Sequence, residues 1–315
     1  MSHERGPLLL LDSAAMYFRA FFALPESMTA PDGTPVNAVR GFLDAISRLV
    51  VAHRPSRVIA CWDDDWRPAF RVEAIPSYKE HRLADDGGEE VPAGLTPQVP
   101  VIVDVLSAVG ITRLGAPGYE ADDVIGTLVA REVAAEERAD EVLVMTGDRD
   151  LFQLVDDDAG VAVLFPMRGA KEPVRIDEAW LAEKYGVAGG QAYADMATLR
   201  GDPSDGLPGV PGIGEKTAAG LLKQYGSLAG IIAAADDLHS GMTATQRKRI
   251  RAARDYLAVA PTVVQVARDA PVAQERGDLP ASPADSEALL ELAERWGLES
   301  PLKRLVDACA QVAGA

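Results

Sequence analysis

The chain has 315 residues, room for about two domains, with 48% hydrophobic residues, a net charge of −17 and two cysteines. Two isolated cysteines exclude a disulfide framework or a thiolate zinc site, and no apolar run is long enough to span a membrane. "MSHERGP" lacks the apolar centre of an export signal, so no membrane association and a cytoplasmic location are expected.

In chain order, "LLLLD" (Leu8 to Asp12) reads as an apolar strand followed by a helix through Phe22. "VNAVRGFLDAISRLVVAH" has helical spacing, and "RVIACWD" is the next strand. "TPQVPVIVDVLSAVG" is helical after Pro97 and ends at Gly110. "ITRLGA" reads as a strand, "GYEADDVIGTLVAREVAAEE" as a helix, and "EVLVMTGD" and "VAVLFP" as strands. Strands alternating with helices predict an α/β fold with a largely parallel sheet, whose ligands collect at the carboxyl ends of the strands. Near Gly201 the texture turns to proline and glycine, then to short helices through Tyr256. A loop, "DAPVAQERGDLPASPAD", precedes a helical tail from Ser286. The expected division is a core over 1–200 and a second region over 201–315.

The acids fall at telling places. Asp12, Asp63 and Asp148 close strands, Glu120, Asp122 and Asp123 open a helix, and Asp150 lies two residues beyond Asp148. Each alone is explained as a cap or a favourable charge at a helix start. Together, at one edge of a parallel sheet, they would repel by about 4 kcal/mol per pair at 4 Å and an effective dielectric near 20. Oxygen ligands without His or Cys point to Mg²⁺ or Mn²⁺, and two such ions can activate water and stabilise a leaving phosphodiester oxygen. "GDPSD" adds Asp202 and Asp205.

The average charge argues against nucleic acid as a partner, but its distribution does not. Seven basic residues face two acids between Lys216 and Arg254, and Arg67, Arg71, Lys79 and Arg82 form a second basic group. "GVPGIGEKT" is near a P-loop, with Gly209 and Gly214 correctly spaced, but Glu215 intervenes before Lys216 and no strand precedes it. The alternatives are a plain tight turn between helices, or a helical hairpin whose Gly-rich turn offers backbone N–H groups to a DNA phosphate.

Five segments in order, "LLLLDSAAMYFRAFFAL", "FRVEAIPSYKEHR", "PGYEADDVIGTLV", "MTGDRDLFQLV" and "GDPSDGLPGVPGIGEKTA", resemble those of bacterial 5′ nucleases. These are the 5′→3′ exonuclease domain of DNA polymerase I and the related flap endonucleases. The resemblance implies a PIN-like core, a helical arch over about 67–96 and a helix-three-turn-helix element near Gly209 to Lys223. It implies cleavage of DNA at 5′ flaps and 5′ ends, with duplex downstream, in replication and repair. Carried over, the metal ligands are Asp12, Asp63 or Asp64, Glu120, Asp122, Asp123, Asp148, Asp150, Asp202 and Asp205. The arch residues are Lys79 and Arg82, with Arg19 and Arg71 near the scissile phosphate. The DNA-contact residues are Gly209, Gly212, Gly214, Lys216, Thr217 and Lys223, in a turn where related proteins hold K⁺ on backbone carbonyls.

The chain departs from that pattern in places. "WDDDWRPAFR" is one residue longer than usual, so Asp63 and Asp64 compete for one ligand role. Gly147 replaces a usual Ala and Gly206 a usual Asn. Acids at Asp85, Asp86, Glu89 and Glu90 oppose tight gripping of single-stranded DNA in the arch. No polymerase domain follows, which predicts a stand-alone nuclease working with a DNA polymerase in trans. Two other readings are a phosphatase with Asp12 as nucleophile, weakened by Ala14 where a second Asp is needed, and a non-catalytic DNA-binding module of the same fold.

Overall fold

The computed structural model describes residues 6–84, 87–167 and 172–314. The elements begin β1 (Leu8–Asp12), α1 (Ser13–Ala23), α2 (Asn37–His53), β2 (Arg57–Cys61), α3 (Ala69–Ala74), α4 (Gln98–Val109), β3 (Thr112–Leu114), α5 (Ala121–Ala134) and β4 (Val142–Met145). They continue β5 (Val161–Phe165), β6 (Val174–Ile176), α6 (Glu178–Tyr185), α7 (Gly190–Arg200), α8 (Glu215–Tyr225) and α9 (Leu228–Asp236). The last are α10 (Ala244–Ala252), α11 (Arg254–Val264), α12 (Ser286–Trp296) and α13 (Glu299–Ala313).

Two compact units form, each from separated stretches of chain. The first takes Met1–Asp64, Glu90–Gly147 and Arg268–Ala315; the second takes Asp65–Glu89 and Asp148–Ala267. These units are interleaved along the chain rather than divided by one cut. The tail helices belong with the first unit because their apolar faces are covered there: α13 packs on α2 and α12 on α4.

In the first unit four parallel strands run in the order β3-β2-β1-β4. Leu8 to Leu11 are all buried, as an unbroken apolar run must be when both sheet faces are covered. Local chemistry fixes the helices. Gly110, at φ 93°, ends α4 in a left-handed turn. The open N-terminus of α2 is satisfied from outside, since Gln98 Oε1 accepts from the N–H groups of Ala38 (2.8 Å) and Val39 (3.3 Å).

In the second unit β5 and β6 pair antiparallel. The sequence reading missed β6, three residues long and too short for a periodicity signal. Phe152, Trp180, Tyr185 and Tyr193 pack edge to face or tilted around α6 and α7. Gly190 lets α7 start against the 3-10 segment Asp150–Leu154: a Cβ there would lie 2.4 Å from the Gln153 carbonyl oxygen. The short α3 packs on α11 through Ile75, Tyr78, Ala260 and Val263. The expected helical arch is mostly irregular among the described residues, with only α3 and a 3-10 turn at Glu80–Arg82. Asp85 and Asp86 lie outside the described residues.

Candidate functional site

In the first unit, carboxylates gather at the carboxyl ends of β1 and β2 and at the start of α5. Asp12 is buried and caps α1: Oδ1 accepts from the Ala15 N–H at 3.1 Å, and Oδ2 accepts from the Thr146 hydroxyl at 2.6 Å. Asp63 Oδ1 accepts from the Ala121 N–H at 2.8 Å, which ties the end of β2 to the first turn of α5. Glu120 and Asp123 form a reciprocal capping box there, with Asp122 beside them in the same turn. Burial, then the negative charges of Asp12, Asp122 and Asp63, push the Cys61 thiol far up. Those three acids therefore all surround the end of β2. Asp64 goes elsewhere: it lies 3.7 Å from Arg113, and a Cβ at Gly115 would strike its carboxylate.

In the second unit, Asp148 Oδ1 accepts from the Asp150 N–H at 2.8 Å, a tight turn that leads into a short 3-10 segment. Asp202 caps the next 3-10 turn by accepting from the Ser204 N–H at 2.8 Å. Asp205 pairs with Arg82 at 2.7 Å. Burial and the charges of Asp148, Asp205 and Asp202 push the Asp150 carboxyl up to about 8, against the pull of Arg200. These four acids thus share one electrostatic environment. Arg200 is its local counter-charge, 3.8 Å from Asp202 and 3.6 Å from Glu215.

Among the described residues no three His, Cys, Asp or Glu side chains form a ready-made metal cage. The chemistry of the donors nevertheless fits hard divalent cations. Both sets are carboxylate oxygens, and burial together with the neighbouring charges raises Asp150, a strain that a cation would relieve.

The basic residues divide sharply. Arg19 is exposed on α1. Lys79 has a left-handed backbone at φ 48°, and its ammonium lies 5.1 Å from the Tyr78 ring centre. Arg71, expected at a scissile phosphate, is buried at 2% exposure. It donates to the Val263 carbonyl at 3.1 Å and lies over the Phe70 ring at 4.8 Å, so it joins α3 to the end of α11. Arg71→Ala is expected to cost about 2–3 kcal/mol of stability, through lost charged hydrogen bonds and packing. Urea denaturation measures it.

The Gly-rich segment folds back on α7. Val210 N–H donates to the Leu199 carbonyl at 2.9 Å. Gly201 and Gly209, at φ 74° and 64°, approach so closely that a Cβ on Gly209 would sit 2.3 Å from the Arg200 carbonyl oxygen. Gly209 is buried by this packing. Gly212 and Gly214 are exposed, and Gly214 is the N-cap of α8 with no side-chain cap, followed by exposed Lys216 and half-buried Thr217. Lys223 is exposed in the last turn of α8, roughly 10 Å along the helix from Lys216.

With this geometry in place, comparison with known proteins is decisive. Residues 7–186 match the model of the 5′-3′ exonuclease N-terminal resolvase-like domain, and residues 189–287 that of the 5′-3′ exonuclease C-terminal SAM fold. The chain belongs to the 5′-3′ exonuclease family. It is 59% identical over 303 residues to a 5′-3′ exonuclease of Streptomyces coelicolor, covering 95% of this chain and 98% of that one. It is 51% identical over 322 residues to a 5′-3′ exonuclease of Mycobacterium tuberculosis, covering 98% and 100%. A crystal structure of the bacteriophage T5 D15 flap endonuclease with DNA and metal ions has the same fold (TM-score 0.63, 16% identity, 98% and 100% covered).

Against the pattern expected of a 5′-3′ exonuclease, Gly206 has a physical cause. At φ 74°, a Cβ there would lie 2.0 Å from the Ser77 carbonyl oxygen, so the usual Asn is barred by the close approach of the arch segment. Gly147 has none, since its Cβ would meet only Ala15 at 3.6 Å. Three residues escaped the sequence reading. Thr146 holds Asp12 and Arg200 balances the acids. Gln153 bonds the Asp150 carbonyl (2.9 Å) and the Val264 carbonyl (3.0 Å), which fastens the acidic turn to the end of α11. Thr146 directly precedes the quoted "GD", but nothing in its position alone marks a ligand partner.

Proposed function

We propose that this member of the 5′-3′ exonuclease family hydrolyses DNA phosphodiesters at 5′ ends and 5′ flaps, using both acidic sets. The observation that carries the reading is the second unit's acid set: Asp148 bonds the Asp150 N–H, Asp202 and Asp205 lie in the next turn, and burial and these charges raise Asp150. Such an arrangement costs stability unless cations fill it. Mg²⁺ or Mn²⁺, two or more ions, would be held by Asp12, Asp63, Asp122, Asp148, Asp150, Asp202 and Asp205, with Glu120 and Asp123 in support. When bound, such ions supply a hydroxide nucleophile and shield the charge of the leaving oxygen.

The chain's own residues do the rest. Thr146 fixes the orientation of Asp12, and the capping box fixes the first turn of α5 that carries Asp122. Arg19, Lys79 and Arg82 offer positive charge to a 5′ phosphate or flap. Gly212, Gly214, Lys216 and Thr217 seat a phosphate of the duplex at the start of α8. The Gly212 carbonyl accepts from Arg249 at 2.9 Å, which leaves it one lone pair for a K⁺ in this turn.

Among the described residues no helix is long and apolar enough to cross a membrane. We place the enzyme in the bacterial cytoplasm at the nucleoid, beside a DNA polymerase acting in trans. The deciding test is cleavage of a 5′-labelled flap substrate with EDTA, Mg²⁺ or Mn²⁺. Binding without cleavage under every metal condition would leave a non-catalytic DNA-binding module instead. Lys216→Ala is expected to lower the slope of log affinity against log salt for a duplex by about 0.9, one phosphate contact. An unchanged slope would remove Lys216 from the interface.

A further inference from the structure

The basic stretch from Lys216 to Arg254 is less uniform in space than in sequence. Asp236 pairs with Arg254 and lies 3.5 Å from Arg251, so it offsets one of those two charges. Arg247 donates to the carbonyls of Asp237 (3.0 Å) and Met242 (3.3 Å). Lys248 is exposed and makes no ion pair among the described residues. Thr245, Lys248, Arg249 and Ala252 stand at the i, i+3, i+4, i+7 positions of one face of α10. With Ala244 and Pro211 they line a groove of about 560 Å³. Arg249 donates to the Gly212 carbonyl at 2.9 Å, so the groove is continuous with the Gly-rich turn.

We propose that this α10 face is a second seat for the sugar-phosphate backbone of duplex DNA. It rests on the reading that the start of α8 takes a DNA phosphate. The groove matches that occupant in its parts. Pro211, Ala244 and Ala252 give an apolar floor suited to deoxyribose, while the Thr245 hydroxyl, Lys248 ammonium and Arg249 guanidinium give donors suited to phosphate. Because the whole chain carries −17, affinity for a polyanion depends on such localised positive seats. Base identity is not read here, so the contact is indifferent to sequence.

The test is titration of the full-length protein with a blunt duplex lacking a flap, in EDTA, over a series of salt concentrations. Lys248→Ala is expected to weaken binding about three- to tenfold at moderate salt and to lower the salt slope by about 0.9. Lys248→Gln should behave alike, and Arg254→Ala should leave the slope unchanged because Asp236 already holds that charge. An unchanged slope in both Lys248 variants, with a lowered slope in Lys216→Ala, would overturn the second seat alone. Unchanged slopes in the Lys248 and Lys216 variants together would overturn the α8 reading and this inference with it. An equal loss in Arg254→Ala would also overturn it, in favour of a diffuse field.

Discussion

If Asp150 helps hold a divalent ion, Asp150→Asn is expected to cut flap cleavage on the order of a thousandfold in saturating Mg²⁺, because a charge that would hold the ion is lost. The same substitution should not weaken the fold of the metal-free protein. Burial and three like charges raise the Asp150 carboxyl to about 8. A carboxyl raised on folding contributes stability that is full below its unfolded value near 4 and is lost as pH climbs through about 8. The Asn variant in EDTA should therefore gain thermal stability relative to the parent chain as pH rises across that window. Asp148→Asn should show the same loss of turnover. Near-normal turnover in folded protein, or a melting temperature that falls at high pH, would remove Asp150 from the metal set.

The second large effect separates Asp63 from Asp64. Asp63→Ala should abolish cleavage with both Mg²⁺ and Mn²⁺, and should also cost about 1 kcal/mol by freeing the Ala121 N–H at the start of α5. Asp64→Ala should keep most of its Mg²⁺ activity, since Asp64 faces Arg113 and Gly115. A shifted ratio of Mn²⁺ to Mg²⁺ rates in Asp64→Ala would give that residue a role at the rim of the site. A dead Asp64 variant beside an active Asp63 variant would exchange their assignments. Metal titrations of initial rate distinguish these outcomes.

The parts legible in sequence are those governed by local chemistry. The run Leu8 to Leu11, the acidic helix start at Glu120 to Asp123, and the stop at Gly110 all reported their structure directly. What a helix face packs against is not local. The periodicity of the tail forecasts helices, but not that Arg304 reaches back to Asp44 at 2.7 Å or that Asp285 N–H bonds the Ala108 carbonyl at 2.9 Å. Charge is no more local: Arg71 donates to the Val263 carbonyl, 192 positions away, which no stretch of sequence states. Asp148, Asp150, Asp202 and Asp205 lie close in the second unit through folding that no single motif states, since Asp148 and Asp205 are 57 positions apart.

The discontinuity of the first unit bears on how the protein comes into being. The Arg304–Asp44 pair joins residues 260 positions apart, so α2 remains without its covering helix while the intervening chain is synthesised. At ordinary rates of translation that interval is on the order of tens of seconds. During it, β1, β2 and β4 can align Asp12 and Asp63, but the apolar faces of α2 and α4 stay open to water or to a chaperone. The second unit, by contrast, has all its chain before α12 emerges. The nascent chain is thus expected to hold all of the second unit before α12 and α13 are made to cover the first.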